Sequence, residues 1–128
     1  MQYKPAVLLV EDEALVVLGV EDALIDAGFE VFSALHGAAA MAEFDSAPDR
    51  FACLVTDIRL GGDTDGWAVA RHARNKRPDL AVLYMTGHAA TQWATEGVAG
   101  SVLLKKPFAN DELVATVTGL VRQPEPQA

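Results

Sequence analysis

Carboxylates come in a run at Glu11, Asp12 and Glu13, directly behind the apolar stretch Ala6–Val10. Asp57 closes a second such stretch, Thr86 a third, and the pair Lys106-Pro107 follows a fourth. If these stretches are parallel strands, their ends bring carboxylates, a hydroxyl and an ammonium to one edge of a sheet. Carboxylates held together repel and raise one another's pKa. A hard divalent cation relieves the repulsion, and Mg²⁺ favours a few carboxylates, waters and a phosphate oxygen. A lysine and a hydroxyl nearby complete a clamp for a phosphoryl group, whose transfer depends mostly on positioning and charge neutralisation. An aspartate can itself be the nucleophile and become an aspartyl phosphate.

The elements that must position these residues alternate. The runs Ala6–Val10, Val31–Ala34, Phe51–Thr56, Ala81–Met85 and Ser101–Lys105 are rich in aliphatic and β-branched residues, and the first, third and fifth are almost continuously apolar. That composition is expected of strands buried on both faces of a parallel sheet. Helical periods occupy Ala14–Ala27, Gly37–Phe44, Trp67–Asn75, a weak Thr91–Glu96 and Asn110–Arg122. In the first of these, Glu21, Asp22 and Asp26 share one sector and aliphatic residues fill the rest, which predicts a wide buried stripe. Gly28 is placed to end that helix, Pro78 to stop the third, and Asn110 to cap the last. Strict β–α alternation over about 115 residues predicts an α/β fold, a doubly wound (βα)5 parallel sheet with helices on both faces.

At 128 residues the chain is one domain's worth. Its 51% apolar and 22% charged residues are an ordinary globular composition. Ten basic residues against eighteen acidic ones leave a net charge of −8, which argues against direct nucleic-acid binding, since phosphate neutralisation needs a basic face. No apolar run approaches the ~18 residues of a membrane span, and the start has no cationic-then-apolar leader. The single cysteine, Cys53, excludes an internal disulfide, and a reducing cytoplasm is the expected location.

Five motifs in order carry a resemblance: VLLVEDE (Val7–Glu13), LVTDIRL (Leu54–Leu60), Asp65-Gly66, YMTGH (Tyr84–His88) and KPF (Lys106–Phe108). Together they resemble the receiver domain of two-component response regulators over about Val7 to Val121. The resemblance implies a five-stranded parallel sheet in the order 2-1-3-4-5 with five helices. It implies that Asp57 is the phosphoacceptor and that Glu11 and Asp12 hold Mg²⁺ with Asp57 and the backbone carbonyl of Arg59. It implies that the Thr86 hydroxyl moves to the phosphoryl group, that Lys106 is its cationic partner beside a cis bond to Pro107, and that Gly87 keeps the site open. Arg59 and His88 stand where the family tunes phosphoryl lifetime. The implied donor is a histidine kinase or a histidine phosphotransfer protein. The implied output is contact with a downstream protein, by a monomer or weak homodimer, with no enzymatic activity beyond Mg²⁺-dependent self-phosphorylation and autodephosphorylation.

This chain departs from the family pattern in three places, one being Lys105 beside Lys106, of which only Lys106 precedes Pro107 and so takes the role. The turn Leu60–Gly66 lacks the usual proline and is one residue longer. The fifth strand has Leu103 where an aromatic is usual, so the expected switch is one of packing at Leu103, not aromatic rotation. The receiver is expected to span 1–122 and stand alone, with 123–128 a disordered tail. The competing readings are a receiver cut from a hybrid histidine kinase, a phosphorylation-independent binding receiver, and an enzyme on the same fold such as a flavodoxin or an aspartyl-phosphate phosphatase. The acidic turn Glu11–Glu13 would repel a flavin phosphate, and neither an acidic-pair member nor the lysine is lost. His36 and His72 are expected to be solvated, Cys53 an inert core thiol, Trp67 an inward-facing residue and Trp93 half exposed. Glu13 is expected to be a solvated first-turn acid, and Gly61, Gly62 and Gly66 to serve turns.

Overall fold

The computed structural model describes residues 4–87 and 90–121. His88, Arg122 and the expected tail 123–128 lie outside them. Strands β1 (Ala6–Val10), β2 (Glu30–Ala34), β3 (Phe51–Asp57), β4 (Ala81–Thr86) and β5 (Val102–Lys105) alternate with helices α1 (Ala14–Asp26), α2 (Gly37–Ser46), α3 (Gly66–Lys76), α4 (Trp93–Glu96) and α5 (Asn110–Val121). All strand pairs are parallel, in the order β2-β1-β3-β4-β5. Side chains alternate across the strands, so the core has two layers. Leu8, Val10, Leu54, Val82 and Tyr84 pack under α2 and α3, which contribute Phe44, Trp67, Val69 and Ala70. Val7, Leu9, Cys53, Val55, Leu83 and Met85 pack under α1 and α5, which contribute Val17, Val20, Leu24, Leu113 and Val117.

The helix stops follow local chemistry. Gly28, at φ 99°, ends α1 in the left-handed region that glycine adopts without strain. Its N–H bonds the Ile25 carbonyl and that of Phe29 the Leu24 carbonyl, the paired C-terminal closure that satisfies two orphan acceptors. Three expectations change. The buried stripe of α1 is narrow: Val17, Val20 and Leu24 are covered, whereas Leu15, Leu18 and Ile25 are 84%, 56% and 54% exposed. Asn110 is the first residue of α5 and not its cap; the Ala109 carbonyl accepts from Glu112 and Leu113. The fourth helix begins as a 3-10 turn, Ala90–Gln92, followed by only four α-helical residues.

Trp67 is buried with its ring centroid 4.6 Å from that of Tyr84, and Trp93 is 37% exposed. Cys53 is fully buried, which pushes its thiol up to about 12. His36 and His72 lie at the surface and also make polar contacts. His36 caps α2, its Nδ1 accepting from the Ala39 amide at 3.2 Å, and His72 Nε2 lies 2.8 Å from Asp45 Oδ1. Among the described residues no helix is long and apolar enough to cross a membrane.

Candidate functional site

The parallel direction ends all five strands at one edge, and four of them bring polar residues together there. Glu11 follows β1, Asp57 and Thr86 end β3 and β4, and Lys106 follows β5. Glu11 continues the face of Val7 and Leu9 and is fully buried; Asp57 continues that of Cys53 and Val55 and is 8% exposed. Lys106 Nζ bridges them, 2.7 Å from Glu11 Oε1 and 3.0 Å from Asp57 Oδ2. The other oxygens are also held: the Glu13 amide donates to Glu11 Oε2 and the Arg59 amide to Asp57 Oδ1. Both carboxylates are therefore fixed in orientation before any ligand arrives.

Burial pushes the Glu11 carboxyl above its ordinary range, against the lowering effect of its bonds to Lys106 and the Glu13 amide; the Asp57 charge raises it further. Burial alone would lower Lys106, but the bonds to Glu11 and Asp57 outweigh it and hold the ammonium above its usual value. The lysine is thus firmly cationic.

Carboxylate oxygens of Glu11, Asp12 and Asp57 lie within 4.8 Å of one another, with Asp12 the exposed member. Two buried acids that share Lys106, with one exposed acid beside them, are a donor set suited to a hard divalent cation. The cleft above them, about 300 Å³, is lined by Asp12, Glu13, Asp57, Arg59, Thr86, Gly87 and Lys106. Glu11 is fully buried and does not line it. Thr86 is buried at 2%. The Lys106 amide donates to the Thr86 carbonyl at 2.8 Å, and the Lys106-Pro107 bond is cis, as expected. Leu103 does not line the cleft; it is half-buried in the sheet, in register with Tyr84.

Two residues take contacts that the sequence motifs holding them did not foretell. Gly66, the first residue of α3, presses on the phosphoacceptor candidate from behind. A Cβ there would fall 2.1 Å from the Asp57 carbonyl oxygen, and the Gly66 amide donates to the Ile58 carbonyl at 2.8 Å. Tyr84 is fully buried on β4, and its hydroxyl accepts the Val98 amide at 3.1 Å. A tyrosine inside an otherwise apolar strand was the available signal, because a buried phenol usually finds a partner. A second cleft, of about 570 Å³, adjoins the first and is mostly apolar: Leu15, Val16, Gly19, Pro107 and Phe108 line it with Glu13, Gly87, Lys106 and Asn110.

A family model described as response regulator receiver domain matches residues 7–118. Among curated proteins, the transcriptional regulatory protein FixJ of Bradyrhizobium diazoefficiens is 32% identical over 131 aligned positions, covering 100% of this chain and 62% of FixJ. The chain spans less than two thirds of the length of the first curated relatives it matches. Among solved structures, a response regulator receiver protein from Sinorhizobium medicae is 40% identical with a TM-score of 0.89, over 94% of this chain and 96% of that one. The chemotaxis protein CheY4 of Vibrio cholerae is 26% identical with a TM-score of 0.83, over 92% and 99%.

Proposed function

This chain belongs to the response regulator receiver domain family, with the phosphoacceptor role of two-component signalling, and from that premise we propose that Asp57 is the acceptor. The single observation that carries the assignment is the Lys106 ammonium set between Asp57 and Glu11 at 3.0 and 2.7 Å, under a cleft that Asp12 and Thr86 complete. A histidine kinase or histidine phosphotransfer protein supplies the phosphoryl group. An Asp57 carboxylate oxygen attacks phosphorus, the bond from phosphorus to the imidazole nitrogen breaks, and the freed imidazole keeps that electron pair.

Glu11, Asp12, Asp57 and the Arg59 carbonyl would hold Mg²⁺. When bound, the metal offsets the charge of the phosphoryl oxygens and of the crowded carboxylates. Lys106 supplies the second positive charge, and the Arg59 and Glu13 amides keep the two carboxylates oriented. Thr86 gives its hydroxyl to a phosphoryl oxygen, and Leu103 fills the space this leaves. Gly87, without a side chain, keeps the entrance open. The donor protein docks along the apolar cleft beside Lys106, where Leu15 stands exposed. The output is protein contact in the cytoplasm by a monomer or weak homodimer. The net charge of −8 argues against nucleic acid as the direct partner.

Acetyl phosphate with Mg²⁺ should add one phosphoryl mass to the wild type and none to Asp57→Asn, and EDTA should abolish the labelling. Equal labelling of Asp57→Ala and wild type would refute the assignment. Leu15→Ser should slow transfer from a protein donor while leaving acetyl phosphate labelling unchanged; slowing of both would remove the docking surface.

A further inference from the structure

The family's usual fifth-strand aromatic is replaced here by Leu103, yet an aromatic hydroxyl stands in the same layer, one strand over. Tyr84 is in register with Leu103 across the β4–β5 pair and two residues before Thr86, so all three belong to one face of the sheet. Its ring has no room to swing. It is fully buried and wedged against Trp67, with ring centroids 4.6 Å apart at 62°. What Tyr84 holds is backbone: its hydroxyl accepts the Val98 amide at 3.1 Å.

Val98 is the hub of the connection from α4 to β5. Its carbonyl accepts both the Ser101 hydroxyl, at 2.6 Å, and the Ser101 amide, at 3.2 Å. The Ser101 oxygen in turn accepts the Trp93 indole N–H at 3.0 Å. Trp93 lies directly on Gly97, where a Cβ would fall 2.4 Å from its Cδ1. A continuous chain of hydrogen bonds therefore runs from the buried strand beside the switch threonine to a tryptophan that is 37% exposed.

We propose that Tyr84 is a positioning residue for signal output: its hydroxyl fixes the 97–101 turn to β4, so that a displacement at Thr86 reaches Trp93 through Val98 and Ser101. This rests on the phosphoacceptor reading above. A rigid tie to backbone transmits movement of the strand end without Tyr84 changing rotamer, and packed interfaces of this kind answer in discrete steps. A leucine at 103 supplies only shape. Tyr84 supplies the polar link.

The test is Tyr84→Phe, which keeps the ring and removes the oxygen. Amide exchange at Val98 should quicken about tenfold, the change expected on losing one net hydrogen bond. Labelling of Asp57 by acetyl phosphate should persist. The shift of Trp93 on adding beryllofluoride, read by fluorine NMR of fluorotryptophan-labelled protein so that Trp67 is resolved separately, should fall below half of the wild-type shift. A full wild-type shift in Tyr84→Phe overturns the proposal, as does unchanged exchange at Val98. The wild type alone gives a second check: amides 97–101 must change their exchange with beryllofluoride, and constancy there refutes the route even if the variant fails to fold. Absence of Asp57 labelling in the wild type would instead refute the phosphoacceptor reading.

Discussion

Replacing Gly66 by alanine should separate the chemistry of Asp57 from the stability of the fold. The added Cβ would sit 2.1 Å from the Asp57 carbonyl oxygen, 2.8 Å from Ile58 Cα and 2.9 Å from the Asp57 carbonyl carbon, all of them backbone atoms that no rotamer change can move aside. Ordinary van der Waals separations are about 3.5 Å, so the end of β3 and the start of α3 would part by about 1 Å. The Gly66 amide bond to the Ile58 carbonyl, 2.8 Å, stretches with them. Overpacking of this kind costs about 1–3 kcal/mol, and at this chain length each kcal/mol lowers Tm by about 4 °C. A misplacement of about 1 Å in a reacting group costs about a hundredfold in rate. The assay is the rate of Asp57 labelling by acetyl phosphate and Mg²⁺, followed by intact mass at a temperature where the variant is fully folded. Gly61→Ala is the control, because a Cβ there meets nothing within 4 Å; it should label at the wild-type rate. Wild-type labelling by folded Gly66→Ala would show that the contact spaces the fold and does not set the acceptor's geometry.

Thr86→Ala should still be phosphorylated at Asp57 but respond weakly to beryllofluoride at amides 91–105; a full response would send the signal out through the Gly61–Gly66 loop instead. Leu103→Ala should weaken the same response, since filling a void with leucine contributes about 1–3 kcal/mol, and leave Mg²⁺ binding intact; a normal response would remove Leu103 from the switch. Cys53, its thiol pushed up to about 12 by burial, holds almost no thiolate at pH 8, and only the thiolate alkylates. Iodoacetamide should therefore modify the protein only on unfolding, and rapid labelling of the native state would contradict the burial.

The (βα)5 order and the acidic edge were legible in the residues themselves because both follow from local rules. Continuous apolar runs such as Phe51–Thr56 can be covered only on two faces, which calls for a parallel sheet. A parallel sheet necessarily gathers Glu11, Asp57, Thr86 and Lys106 at one edge. What tertiary structure decided depends on contacts between residues far apart in sequence. The pattern of α1 marks Leu15, Leu18 and Val20 alike as apolar, yet only the neighbouring β-sheet and α5 determine that Val20 is covered and the two leucines are not. Leu103 could be assigned to the switch by its place before Lys106, but its register with Tyr84 comes from strand pairing. Gly66 reads as turn chemistry until the helix is laid against the Asp57 carbonyl. The bond from Tyr84 to Val98 needs a turn that folds back across the end of the sheet, and the bridge from Lys106 to Glu11 spans 95 positions. Periodicity reports which face of an element is apolar; what meets that face is decided only when the elements pack.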